Sequence, residues 1–274
     1  MPISFYKQQR GVLVMRKVLS SLSMLLVLSG FAAVTENKDA ELPSLDVPRS
    51  ETAPLIDGKL DDHAWRNAAV INGLLPCRGG KYQEKIDKVP TTVRLLWDKD
   101  YLYVSYECTD AEILATMTER DSKLYMEDVC EVFIDPMGDG RQYFEVQVSP
   151  NNVIFDICHI ATGEPEYTET KRFTPEFGKK NHWAFPEWNM EGLQTATART
   201  ENGWNCEIAF PAKLLMKRRG LDKLEPCELR ANFMRYDWQP GKNGKREMIH
   251  MNWAPVQHGC PHISPAAMGI LNLK

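Results

Sequence analysis

From residue 91 onward, apolar and polar residues alternate in short runs separated by turn residues. TTVRLLW (91–97) is followed by Asp98, Lys99 and Asp100, and then by YLYVSYE (101–107). Side chains alternate across a strand, so Val93, Leu95 and Trp97 share one face of the first run, and Leu102, Val104 and Tyr106 share one face of the second. This predicts a β-hairpin. EDVCEVFIDP (127–136), a turn at MGDG (137–140) and RQYFEVQVSP (141–150) predict a second. VIFDICHI (153–160) follows as a strand. LQTATART (193–200), the turn ENG and WNCEIAF (204–210) predict a third hairpin. PAKLLMKRRG (211–220) has the spacing of one short helix, ended by Gly220 with cations in its last turn. ELRANFMRYDW (228–238), KREMIHMNWAP (245–255) and MGILNL (268–273) are further strands. Strands at spacings near ten residues, with one short helix, point to an all-β antiparallel β-sandwich.

The alternation also sorts polar groups. In 129–135, Cys130, Val132 and Ile134 form one face, and Val129, Glu131, Phe133 and Asp135 the other. In 143–149, Phe144, Val146 and Val148 oppose Tyr143, Glu145, Gln147 and Ser149. Pairing of these strands through MGDG brings Glu131, Tyr143, Glu145 and Gln147 onto one sheet surface outside the sandwich core. Such a face is either a solvated sheet surface or a shallow polar platform. Carboxylates and amides that bridge vicinal hydroxyls, beside aromatics that cover C–H faces, suit a sugar.

The rest of the chain changes this picture at its start. Met15 opens MRKVLSSLSMLLVLSGFAA, with a basic segment, an apolar run of about a dozen residues and small residues after it. That layout predicts a secretory signal peptide over residues 1–33, with Met15 as the start, and the run is shorter than the ~20 residues a membrane span needs. The chain is then expected to be secreted, periplasmic or at the cell surface. Residues 34–50 are polar and read as a linker or leading strand, with the sandwich over 51–274. The net charge of −4 becomes more negative when Lys7, Arg10, Arg16 and Lys17 are lost. An acidic domain without a basic stripe is a poor nucleic-acid binder. The seven cysteines form no CxxC pair, which leaves a zinc or thioredoxin-like site unsupported and predicts mostly buried thiols.

Four motifs carry a family resemblance. IDGKLDDHAW (56–65) resembles the N-terminal signature of family 9 carbohydrate-binding modules and their DOMON-like β-sandwich relatives. TTVRLLWDKDYLYVSYECTD (91–110) resembles their central hairpin, and LYMEDVCEVFIDP (124–136) their strand ending in FIDP. The stretch from Trp253 through HISPAAMGILNL (262–273) resembles their C-terminal strand. The resemblance implies a secreted, non-catalytic sandwich that binds sugars, often at glycan chain ends, beside glycan-degrading enzyme partners such as xylanases. Structural calcium occurs in some members. Residue by residue, it implies that Glu131 bonds sugar hydroxyls and that Tyr125 stands where one stacking tryptophan is expected. His262 falls where the second tryptophan is expected, and Glu145 where an arginine is expected. The sugar-binding set is therefore Tyr125, Glu131, Glu145, Gln147 and His262. The segment 161–187 is longer than the family pattern and offers Trp183 and Trp188 as replacement aromatics.

Other chemistry remains to be weighed. Asp57, Asp61 and Asp62 read as turn residues and a helix cap, with calcium as the alternative. Asp135 and Asp139 read as a candidate calcium loop. Trp65 and Trp97 read as core residues. A glycoside hydrolase would use Glu131 and Glu145 as its paired carboxylates. A haem-binding sandwich would draw its ligands from Met248, Met251, Met268, His250 and His262.

Overall fold

The computed structural model describes residues 42–77, 83–160, 183–254 and 268–274. The expected signal peptide, His262, Cys260 and most of the 161–187 segment lie outside them. Fourteen strands are described: β1 (Ser44–Val47), β2 (Ala69–Asn72), β3 (Leu75–Pro76), β4 (Thr91–Trp97), β5 (Tyr101–Thr109), β6 (Val129–Asp135) and β7 (Gln142–Val148) in the first half. The second half adds β8 (Ile154–Ile160), β9 (Trp183–Phe185), β10 (Gln194–Thr200), β11 (Gly203–Pro211), β12 (Glu228–Pro240), β13 (Arg246–Asn252) and β14 (Gly269–Leu273). All three expected hairpins form, as the antiparallel pairs β4–β5, β6–β7 and β10–β11.

Two sheets face each other. The larger runs β1-β14-β12-β6-β7-β8-β9, with β13 beside the second half of β12 and β3 beside β13; the smaller runs β10-β11-β5-β4-β2. The stretch read as a linker or leading strand contains β1, which pairs parallel with β14. The single expected helix over 211–220 is broken. Ala212–Leu215 is α-helical, Lys217–Arg219 is a 3-10 turn, and Gly220 ends it in the left-handed region at φ 71°. A second four-residue α-helix spans Gln83–Ile86.

The core lies between the sheets and takes the face the alternation assigns to it. Val93, Leu95, Trp97, Leu102, Val104, Tyr106, Cys130, Val132, Ile134, Phe144, Val146 and Val148 are all buried there. Tyr106 donates its hydroxyl across the gap to the backbone oxygen of Glu131 (2.9 Å), which satisfies the one polar atom this side chain carries inward. Trp97 donates its indole N–H to Val47 (3.0 Å). Trp65 and Trp97 are buried, as expected of core residues. Cys77, Cys108, Cys130, Cys158 and Cys206 are buried, and Cys227 is half-buried. Cys108 on the small sheet and Cys130 on the large one place their sulfurs 3.6 Å apart.

Two family motifs have a packing explanation. Gly58 has φ +85°, and a Cβ there would lie 2.6 Å from the backbone carbon of Thr197, so the IDG turn lies directly on β10. Gly269 opens β14 under the ring of Trp253, where a Cβ would fall 2.4 Å from the indole.

Candidate functional site

The β6–β7 register sets Glu131 opposite Gln147 and Phe133 opposite Glu145. Gln147 donates both amide hydrogens, one to Glu131 Oε1 (2.6 Å) and one to Glu145 Oε1 (2.7 Å). Two carboxylates on its nitrogen side fix the orientation of that amide, since only the nitrogen can donate. Gln147 Oε1 is left buried without a hydrogen-bond partner. From β8, His159 Nε2 lies 2.9 Å from Glu145 Oε2. Glu131, Gln147, Glu145 and His159 thus form one polar row across three strands on the outer face of the large sheet.

Aromatic rings line the far end of this row. The ring of Tyr143 stacks on His159 at 4.7 Å with 9° between planes, and Phe133 lies 6.5 Å from Tyr143 and 6.3 Å from His159. The face is the one expected, but its exposure is not. Glu131, Glu145 and Gln147 are 0, 1 and 2% exposed. They form a buried row and not a shallow open platform. Alternation says which face a side chain takes; it does not say whether that face is covered.

Tyr125 lies in the single turn of 3-10 helix Leu124–Met126 and is 37% exposed. Below it, Leu124 packs with Val129, Val153 and Tyr236 on the same outer face. Two adjacent acids hold this turn. Glu127 accepts the backbone N–H groups of Thr116 (2.7 Å) and Met117 (3.1 Å) and the hydroxyl of Thr116. Asp128 accepts the N–H of Trp238 (2.6 Å) on one oxygen and that of Leu114 on the other. Burial outweighs these two bonds and raises the Asp128 carboxyl to about 7, helped by the nearby Asp110 and Asp237.

Sequence reasoning missed His159, Glu127 and Asp128. His159 had a signal: in VIFDICHI it alternates onto the face of Phe155 and Ile157. The replacement aromatics do not reach this face. Trp183 and Trp188 pack against the inter-sheet core, and Trp188 stacks on Phe144 at 5.2 Å. His262, the expected second wall, lies outside the described residues.

The calcium readings do not fit the side chains. Asp135 accepts the N–H groups of Met137 (3.1 Å), Gly138 (2.9 Å) and Gly140 (2.6 Å) and so holds the MGDG turn itself. Asp139 is ion-paired with Arg218 (2.7 Å). Asp57 bonds its own turn at Lys59, and Asp62 accepts the N–H of Leu55. Asp62 does precede the 3-10 turn His63–Asn67 but makes no side-chain cap bond there. Among the described residues no three His, Cys, Asp or Glu side chains converge on one point. Of the haem candidates, Met251 is buried in the inter-sheet core, while His250, its chain neighbour, meets Tyr236 on the outer side at 4.2 Å.

An open groove of about 830 Å³ lies on the other sheet, between the IDG turn and Arg94, Glu107, Arg199 and Asn205. Groups around it already serve the fold. Arg94 pairs with Glu107 (2.8 Å), and the indole of Trp65 donates to the buried Glu207 (2.8 Å).

Comparison with known proteins agrees with this architecture. The chain is 27% identical over 158 residues to exoglucanase XynX from Acetivibrio thermocellus, an alignment covering 58% of this chain and 11% of that enzyme. The chain therefore spans about a tenth of the length of this curated relative. Two solved structures of a family 9 carbohydrate-binding module from Caldicellulosiruptor kristjanssonii share the fold. The one in complex with cellotriose has a TM-score of 0.57 at 17% identity, covering 84% of this chain and 93% of that one. The one in complex with glucose has a TM-score of 0.55 at 18% identity, covering 84% and 95%. Among the described residues, no helix is long and apolar enough to cross a membrane. The carbohydrate family 9 binding domain-like model matches residues 56–274, and the chain belongs to that family.

Proposed function

We propose that this chain is an exported, non-catalytic carbohydrate-binding protein that recognises a sugar or glycan chain end and works beside glycan-degrading enzymes. The observation that carries this reading is the row Glu131–Gln147–Glu145–His159. It gathers acceptors and a donor within hydrogen-bond reach of one another on the outer face of the large sheet, and Gln147 Oε1 keeps an unused acceptor. Vicinal hydroxyls need that mixture. Tyr125, 37% exposed in the turn before β6, supplies an aromatic face for the C–H side of a ring. The family match, and neighbours of this fold held with cellotriose and glucose, support a saccharide ligand.

A glycan array followed by titration calorimetry tests the reading. The wild-type chain is expected to bind a saccharide, and Glu131→Gln to bind it about tenfold more weakly, the worth of one hydrogen bond to a charged group. An array without any bound glycan would overturn the proposal. Reducing-sugar release by the wild type that Glu131→Gln abolishes would overturn the non-catalytic part.

A further inference from the structure

We propose that Trp238 is an aromatic wall of the site, placed to stack on a sugar two or three rings from the polar row, so that the ligand is an oligosaccharide and not a single sugar. The inference rests on the carbohydrate-binding reading above. It starts from where the seven tryptophans go. Trp65, Trp97 and Trp204 are buried. Trp183, Trp188 and Trp253 pack against the inter-sheet core. Trp238 alone joins the outer-face cluster, packing half-buried with Phe155 and Met248 against Leu124, Val129 and Tyr236.

Register gives its position. On β12, Met234 lies opposite Glu131, and Tyr236 and Trp238 follow on the same face. Four residues of strand place Trp238 about 13 Å along the sheet from the polar row, farther than one sugar ring reaches. On β8, Phe155 lies opposite Gln147. Exposure therefore rises from the buried row through half-exposed Phe155 and Trp238 to Tyr125 and Met126, where it reaches 37% and 50%. Exposed aromatic and methionine side chains gathered beside polar anchors mark a recognition surface.

Trp238 is also held as a stacking wall must be. Its indole N–H donates to the backbone oxygen of Tyr125 (3.1 Å), its backbone N–H to Asp128 (2.6 Å), and its backbone oxygen accepts from Arg246 (3.0 Å). With the polar edge of the indole bonded to the protein, the ring's C–H and π surface is what remains for a ligand. Fixed before binding, such a ring loses little freedom on stacking. The same bond joins Tyr125 and Trp238 into one unit, and Asp128 acts as its positioning residue.

The test compares glucose and cellotriose by calorimetry on the full chain. Wild type is expected to bind cellotriose more tightly than glucose, with a change in tryptophan fluorescence specific to the longer sugar. Trp238→Ala should lose about tenfold for cellotriose, the scale of one stacked ring, and distinctly less for glucose. Trp238→Phe should keep most of the cellotriose affinity. Retained glucose binding also reports that the fold is intact. If Trp238→Ala weakens both sugars equally, or neither, the inference fails while the carbohydrate reading stands. Binding of neither sugar by the wild type would overturn the inference together with that reading for these sugars.

Discussion

Single residues show how this chain handles buried acids. Glu207 on β11 is fully buried and accepts three hydrogen bonds, from Asp57 N (3.0 Å), Gly58 N (2.7 Å) and Trp65 Nε1 (2.8 Å). Glu207→Ala strands all three donors, and a loss of about 3 kcal/mol in urea unfolding is expected, because each orphaned donor costs 1 kcal/mol or more. Asp128 makes a prediction in pH. Its folded carboxyl titrates at about 7, above the ordinary 3.8, so between those values the folded state holds a proton that the unfolded state has lost. Stability from this group is therefore present at low pH and falls as pH rises from about 4 to about 7. Asp237, also raised by burial, adds to the same slope. Asp139, held low by Arg218, acts only below its ordinary range. Unfolding free energies measured across pH 4–7 should decline for wild type and decline less for Asp128→Asn. Equal slopes for the two proteins would remove Asp128 as the source.

Elements show what the sequence could and could not reveal. Within a hairpin, alternation and turn chemistry suffice: Val93, Leu95 and Trp97 face inward as expected, and Glu131 and Gln147 fall opposite each other through MGDG. Partners far apart in the chain are another matter. β12 pairs with β6 across roughly a hundred residues, and nothing in ELRANFMRYDW announces that Trp238 shares a face with Glu131. The short edge strands β2, β3 and β9 went unread because two to four residues carry no periodicity. The IDG turn illustrates the opposite limit, a motif legible as a family signature whose cause is tertiary. Gly58 needs both its positive φ and its missing side chain, since β10 passes against it. Gly58→Ala combines backbone strain with a backbone clash and is expected to cost about 3 kcal/mol or more. The corresponding change at Gly220, with nothing within 4 Å, carries only the cost of its left-handed φ. Thermal melts of the two variants should therefore differ, with Gly58→Ala melting well below Gly220→Ala.

At the scale of the molecule, the question is what holds two sheets in one arrangement beyond their shared apolar core. The two thiols at 3.6 Å and the Tyr106 hydroxyl cross the gap. An ion cluster crosses beside the thiols, since Arg235 lies opposite Cys130 and Thr91 opposite Cys108. Arg235 is fully buried on β12 of the large sheet and reaches the small one, donating to Thr91 Oγ1 (3.0 Å), to the backbone oxygen of Val89 (3.3 Å) and to Asp110 (3.2 Å) just beyond β5. Its other partner is Asp237 on its own strand. Buried ion clusters gain little over an apolar replacement, yet breaking one by removing a single member is costly, because charges stay behind without a partner. Arg235→Met leaves Asp110 and Asp237 facing each other in a dry interior and should lower stability by about 3–5 kcal/mol. Adding Asp110→Asn and Asp237→Asn removes the stranded charges, so the triple variant should recover a large part of that loss. Urea denaturation of wild type, single and triple variants measures both steps. A single variant that unfolds within about 1 kcal/mol of wild type would mean that the apolar core alone sets the sheets, and that Arg235 serves only to neutralise acids that the fold could expose.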